Sequence, residues 1–145
     1  MATSTQTNNI GSNYLSSSGT VHRPIAVENR RRACVANLVM EAARSCPGAV
    51  ALSAGADSMT FGDLAAQSAR LASYLIALGA GPEVPVGLCL ERSFDFIVSA
   101  FAVLLSGAAY LPLDPTWPAE RLRKIVEDAH APLVISRGSL AKLAV

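Results

Sequence analysis

"VPVGLCLERSFDFIVSAFAVLLSGAAYLPLD", residues 84–114, decides the fold. Residues 84–90 form an uninterrupted apolar run of strand length, the pattern of a strand covered on both faces. Ser93 offers a hydroxyl to the free N–H groups of a helix start, and the thirteen residues after it read as a helix. Gly107 stops that helix, since glycine enters left-handed backbone without a Cβ penalty. "AAYLPL" then opens a second short strand.

The same stretch raises a membrane question. No residue from Phe96 to Leu113 is charged, a length that nominates a span. Gly107 divides it into two pieces of soluble-core length, and Pro112 would interrupt a single helix. The flanks "ERSFD" and "DPTWP" lack the Lys/Arg asymmetry that orients a span. The expectation is a buried helix leading into a strand, with no membrane partner.

Downstream, Pro118 suits a first helical turn and Glu120 complements the dipole there. Leu122, Ile125, Val126 and Ala129 make an apolar stripe. "PLVIS" (132–136) reads as a buried strand and "GSLAKLAV" (138–145) as the start of a helix. Upstream, Thr60 and Asp63 have the T-x-x-D form of a capping box, with Asp in place of the preferred Glu. The helix they open carries Leu64, Ser68, Leu71, Leu75 and Leu78 on one face, with Asp63, Gln67 and Arg70 opposite. Gly79, Gly81 and Pro82 end it. "AVALSAGADSMTF" (49–61) reads as a hairpin turned at "AGAD". Val35, Leu38, Val39 and Ala42 mark one face of a first helix, stopped by Pro47 and Gly48. The alternation of helices and strands predicts an α/β fold: a partial, mostly parallel sheet with flanking helices and an N-terminal β-hairpin.

Residues 1–33 are of different texture. The first twenty are rich in Ser, Thr, Asn and Gly and carry no charged side chain, so they cannot bury enough apolar surface to offset ordering entropy. They are expected to form a disordered tail, ending in a solvated collar at Arg30, Arg31 and Arg32. The domain proper is expected over 34–145. The whole chain of 145 residues is 51% hydrophobic and 16% charged, with a net charge of +1. That balance gives no basic field to recruit nucleic acid. Cys34, Cys46 and Cys89 are odd in number and lack CxxC spacing, which fits small thiols in a reducing, cytoplasmic setting better than a disulfide framework or a metal site.

Two ordered motifs now carry a resemblance. Met59-Thr60-Phe61-Gly62-Asp63-Leu64 is similar to the L-T-Y-x-E-L motif that opens adenylate-forming enzymes. Leu104-Leu105-Ser106-Gly107-Ala108-Ala109-Tyr110-Leu111-Pro112-Leu113-Asp114 is similar to their L-K-A-G-x-A-Y-L-P-L-D motif. "GPEVPVGLCLERS" between them and "DPTWPAERL" after them match as well. From Val35 to Ser136 the chain resembles the N-terminal part of a nonribosomal peptide synthetase adenylation domain. It departs from the pattern at Leu105 (usually lysine), Phe61 (usually tyrosine) and His130 (often glycine).

The resemblance implies a parent enzyme that uses ATP and Mg²⁺ to convert an amino or carboxylic acid to an acyl-adenylate. The acyl group then passes to a carrier-protein phosphopantetheine thiol or to CoA. It also implies that the phosphate loop, ribose-binding aspartate and selectivity residues belong to sequence downstream of the match. The chain itself is therefore expected to hold scaffold residues and no catalytic, cofactor or metal site: Thr60, Phe61, Asp63, Leu64, Gly107, Tyr110, Pro112 and Asp114 serve the framework. Its first partner would be the remainder of the adenylation domain. Two alternatives are a non-catalytic interaction or regulatory module and a piece of a free-standing acyl-CoA or aryl-acid ligase. Of the single residues, Asp114 is expected to make a turn ahead of Pro115, Glu91 and Arg92 a surface pair at a helix entry, and Tyr110 and Trp117 a cover over the core.

Overall fold

The computed structural model describes residues 34–137 and 139–142; the tail expected at 1–33 lies outside the described residues. Helix α1 (Val35–Ser45) leads into a hairpin of β1 (Val50–Ala54) and β2 (Asp57–Thr60), then helix α2 (Phe61–Ala77). Strand β3 (Pro85–Cys89), helix α3 (Phe94–Leu105), strand β4 (Ala109–Leu113), helix α4 (Ala119–Asp128) and strand β5 (Leu133–Ser136) follow, with β6 (Ser139–Lys142) last. The sheet order is β4-β3-β5-β6, with β4, β3 and β5 parallel and β6 antiparallel to β5. The expected α/β architecture and its separate N-terminal hairpin are both present.

Local chemistry accounts for the ends of these elements. At the start of α2 the Thr60 hydroxyl accepts from the Asp63 N–H at 3.1 Å and donates to Asp63 Oδ2 at 2.7 Å. The short aspartate grips the capping hydroxyl itself. Phe61 and Gly62 N–H groups donate to the carbonyls of Ala49 and Pro47, each at 2.9 Å, which pins the hairpin to the helix start. A Cβ on Gly62 would lie 3.1 Å from that Pro47 oxygen, so glycine permits the approach.

Helices α2, α3 and α4 end on one motif, in which the two residues past the cap bond back to the last turn. The pairs are Gly79 to Ile76 and Ala80 to Leu75, Gly107 to Leu104 and Ala108 to Val103, and His130 to Glu127 and Ala131 to Val126. The left-handed residue is glycine in two of them, with φ of 103° and 81°, and His130 in the third, with φ of 52°. Left-handed backbone costs a residue with a Cβ ~1–2 kcal/mol. Glycine's greater freedom in the unfolded chain offsets about 0.5–1 kcal/mol of that. His130→Gly should therefore raise the unfolding free energy by ~0.5–1 kcal/mol, read as a higher urea midpoint at unchanged slope.

The core has two parts, one on each side of the sheet. On one side Val86 and Leu88 of β3 and Leu133 and Ile135 of β5 meet Ala72 and Leu75 of α2 and Ala102 and Val103 of α3. Ser68 also faces this side, 1% exposed; its hydroxyl donates to the Val98 carbonyl at 3.2 Å, so a polar group sits in the packed face at little cost. On the other side Leu113, Val126 and Ala131 are buried, with Leu111, Leu122, Ile125 and Val134 packed on them. A Cβ on Gly87 would stand 3.1 Å from both Leu113 Cδ1 and Val134 Cγ2, so the missing side chain lets those neighbours close over β3.

Four readings of the sequence need correction. The stretch expected to begin a helix at 138–145 runs as β6 over 139–142. Ser136 pairs with Ser139, which leaves two residues, Arg-Gly in sequence, for the hairpin loop, and the free edge of β5 supplies the ladder. On α1 the buried residue is Ala36, while Val35 is 51% exposed: contact with α2 and α3 turns the packed face away from the apolar stripe. Pro118 stands at the N-cap of α4, ahead of its first turn, and its carbonyl accepts from Arg121 and Leu122. Finally, β4 is an edge strand, exposed along most of its length. Tyr110, expected to cover the core, is 43% exposed.

Candidate functional site

The two crossovers of the sheet run in opposite senses. From β3 the chain passes through α3, on one side of the sheet, to β4. From β4 it returns across β3 through α4, on the other side, to β5. The loops leaving the carboxyl ends of β3 and β4 therefore diverge, and open α/β sheets bind ligands in the crevice left at such a reversal. That crevice lies between Leu90–Arg92 and Leu113–Trp117, with Phe96 and Pro112 in its wall. A smaller opening beside it is lined by Cys89, Glu91, Ser93, Asp95, Pro115 and Arg137.

Each loop is held by its own polar contacts. Ser93 caps α3: its hydroxyl accepts from the Phe96 N–H at 3.3 Å and donates to the Glu91 carbonyl at 3.2 Å. Asp114 closes the turn after β4, where its Oδ1 accepts from the Thr116 N–H at 2.9 Å and the Thr116 hydroxyl at 2.7 Å. The Asp114 carbonyl accepts from the Trp117 N–H at 3.0 Å. The Arg121 guanidinium lies over the Trp117 ring, 4.2 Å from its centre; this cation–π contact anchors the half-buried indole to the first turn of α4.

These contacts fix the electrostatics. The Thr116 N–H, and after it the Thr116 hydroxyl, hold the Asp114 carboxyl below the usual aspartate range. Burial, and then the Asp114 charge, push the Cys89 thiol up, so Cys89 is protonated at neutral pH and a poor nucleophile. Because folding lowers the Asp114 pKa, its contribution to stability is complete above the unfolded value of about 3.9 and is lost as pH falls through the folded one. Acid titration of the unfolding midpoint should show a steeper fall below about pH 4 for the natural chain than for Asp114→Asn. Parallel profiles would mean that the turn does not bind the charge.

Of the framework residues picked from sequence, Pro112 and Asp114 line the crevice. Thr60, Phe61, Asp63 and Leu64 sit at the start of α2, Gly107 ends α3, and Tyr110 lies on the outer edge strand; none of these lines either opening. The structure adds Thr116, Phe96 and Arg137, which no local motif marks. They meet only because the strand order reverses. The charged groups of the two openings are Glu91, Asp95 and Asp114 against Arg92 and Arg137. Carboxylates prevail, and a triphosphate would meet repulsion there.

Comparison with known proteins gives concordant results. The family model of the AMP-binding enzymes matches residues 39–144. The phosphinothricin tripeptide synthetase PhsC of Streptomyces viridochromogenes is 40% identical over 121 residues, 83% of this chain and 11% of that protein. The malpinin synthetase of Mortierella alpina is 43% identical over 103 residues, which is 71% of this chain and 1% of that protein. Among solved structures, the N-terminal subdomain of Klebsiella oxytoca NpsA, in complex with anthranilyl-AMSN, superimposes with a TM-score of 0.65 at 25% identity. The match covers 72% of this chain and 27% of that one. The chain thus spans a small part of the length of each.

Proposed function

Because the chain belongs to the AMP-binding enzyme family, we propose that it forms the opening part of the scaffold of an adenylation domain of the nonribosomal peptide synthetase type. The complete domain would activate an amino or carboxylic acid in two steps. The acid's carboxylate attacks the α-phosphorus of ATP and displaces pyrophosphate; a thiol then attacks the acyl carbon and displaces AMP. The thiol would be the phosphopantetheine of a carrier protein, and the setting the cytoplasm. Among the described residues no helix is long and apolar enough to cross a membrane.

One observation supports a scaffold role. The crevice at the strand reversal, where a nucleotide would be sought first, carries three carboxylates and two arginines. Stabilising charge on a transferring phosphoryl group needs donors and cations aimed at it. These residues do not suit ATP with Mg²⁺, and no step of the reaction is assigned to them. The two motif segments serve architecture instead: one caps α2, and the other ends α3 and builds β4.

The test is ATP–pyrophosphate exchange by the purified chain across the proteinogenic amino acids and common aryl acids. Exchange should stay at background for every acid. Acid-dependent exchange above background would overturn the scaffold reading.

A further inference from the structure

The outer edge of β4 follows from hydrogen-bond phase. The Ala109 N–H donates to the Val84 carbonyl at 3.2 Å, so the main-chain groups of Ala109 point toward β3. Successive residues of a strand direct those groups to opposite sides. Leu111 and Leu113 therefore also face β3, while Tyr110 and Pro112 face the open edge. Proline has no N–H, and within sheets it is confined to edges, first positions and bulges. Pro112 pairs with Leu88 inside an unbroken parallel register, so it occupies an edge position without removing any bond to β3. Tyr110 is then the one residue within β4 whose N–H faces outward. The strand is five residues long, and the Asp114 turn closes its exit.

We propose that β4 is the closed, terminal strand of this sheet, and that the rest of the AMP-binding domain docks on the side of the sheet away from β4. This rests on the scaffold reading above. A strand added beside β4 would set an acceptor against the proline nitrogen and meet the ring. The partner is the remainder of the family domain: the sheet has three parallel strands, and the chain covers 27–29% of its solved relatives. The exposed Tyr110 side chain and Pro112 ring mark where extension stops. Edge prolines suppress unwanted pairing in the same way.

Hydrogen exchange at the Tyr110 amide tests this, because that N–H bonds to nothing unless a strand is added. In the full natural chain it should exchange at one fast rate at all protein concentrations. In Pro112→Val, which restores a donor and a β-branched side chain, it should slow about tenfold or more as concentration rises, with thioflavin-positive assembly. Concentration-dependent protection in the natural chain, or no slowing in Pro112→Val, would overturn the closed edge. In a second arm the chain is mixed with the part of the NpsA subdomain that follows its matching stretch. Association with Tyr110 still fast supports the proposal, and association with Tyr110 protected overturns it. Failure to associate counts against the scaffold reading, while the Pro112→Val comparison still decides the edge.

Discussion

Replacing Leu88 with alanine should cost about 2–5 kcal/mol of unfolding free energy. Leu88 sits in β3, between β4 and β5, and is 0% exposed. It faces the side covered by α2 and α3, in one cluster with Leu75, Val103 and Leu133. Truncation removes buried methyl groups and leaves a cavity whose walls are held on three sides by strand pairing and helix packing. Such a site collapses poorly, so the loss should fall in the upper part of that range. Leu122→Ala, on the half-buried face of α4, provides the contrast and should cost clearly less. Urea denaturation of both variants checks the ordering, and a loss below about 1 kcal/mol for Leu88→Ala would mean that β3 is not the centre of the packing.

The second large effect is expected at Gly107. Its φ of 81° lies in the left-handed region, where a residue with a Cβ costs ~1–2 kcal/mol and a β-branched one is an outlier. An added Cβ would find Pro82 Cδ at 3.6 Å, ordinary contact. The penalty is thus one of backbone conformation. Gly107→Val should therefore lose about 2 kcal/mol, and Gly107→Asn, which tolerates that conformation, should lose much less. Equal losses would point to crowding against Pro82 and away from the backbone. Because Gly107 also sets where β4 begins, the valine variant should loosen exchange protection along β4 as well as at the end of α3.

Several features could be read one residue at a time. Thr60 and Asp63 announced the start of α2, Ser93 the start of α3, and Gly79 and Gly107 the ends of those helices, because caps and left-handed turns are local contracts between a side chain and the nearest backbone. The apolar run at 84–90 foretold a doubly covered strand for the same kind of reason: Val86, Gly87 and Leu88 are all buried. The candidate site was legible only in part. Asp114 and Trp117 drew notice from their sequence setting, whereas Thr116, Phe96 and Arg137 reach the crevice from three separate elements.

From the order of residues alone came the element types, the parallel character of the sheet, the family motifs and the two glycine stops, all set by interactions within a few positions of one another. Tertiary structure decided the rest. It placed β4 at the rim, gave residues 139–142 to the free side of β5, turned Ala36 inward in place of Val35, and put the crevice where the crossovers part. Each of these depends on which strand or helix becomes a neighbour. That choice is made by burial and pairing between segments far apart in the chain, which no short window of sequence contains.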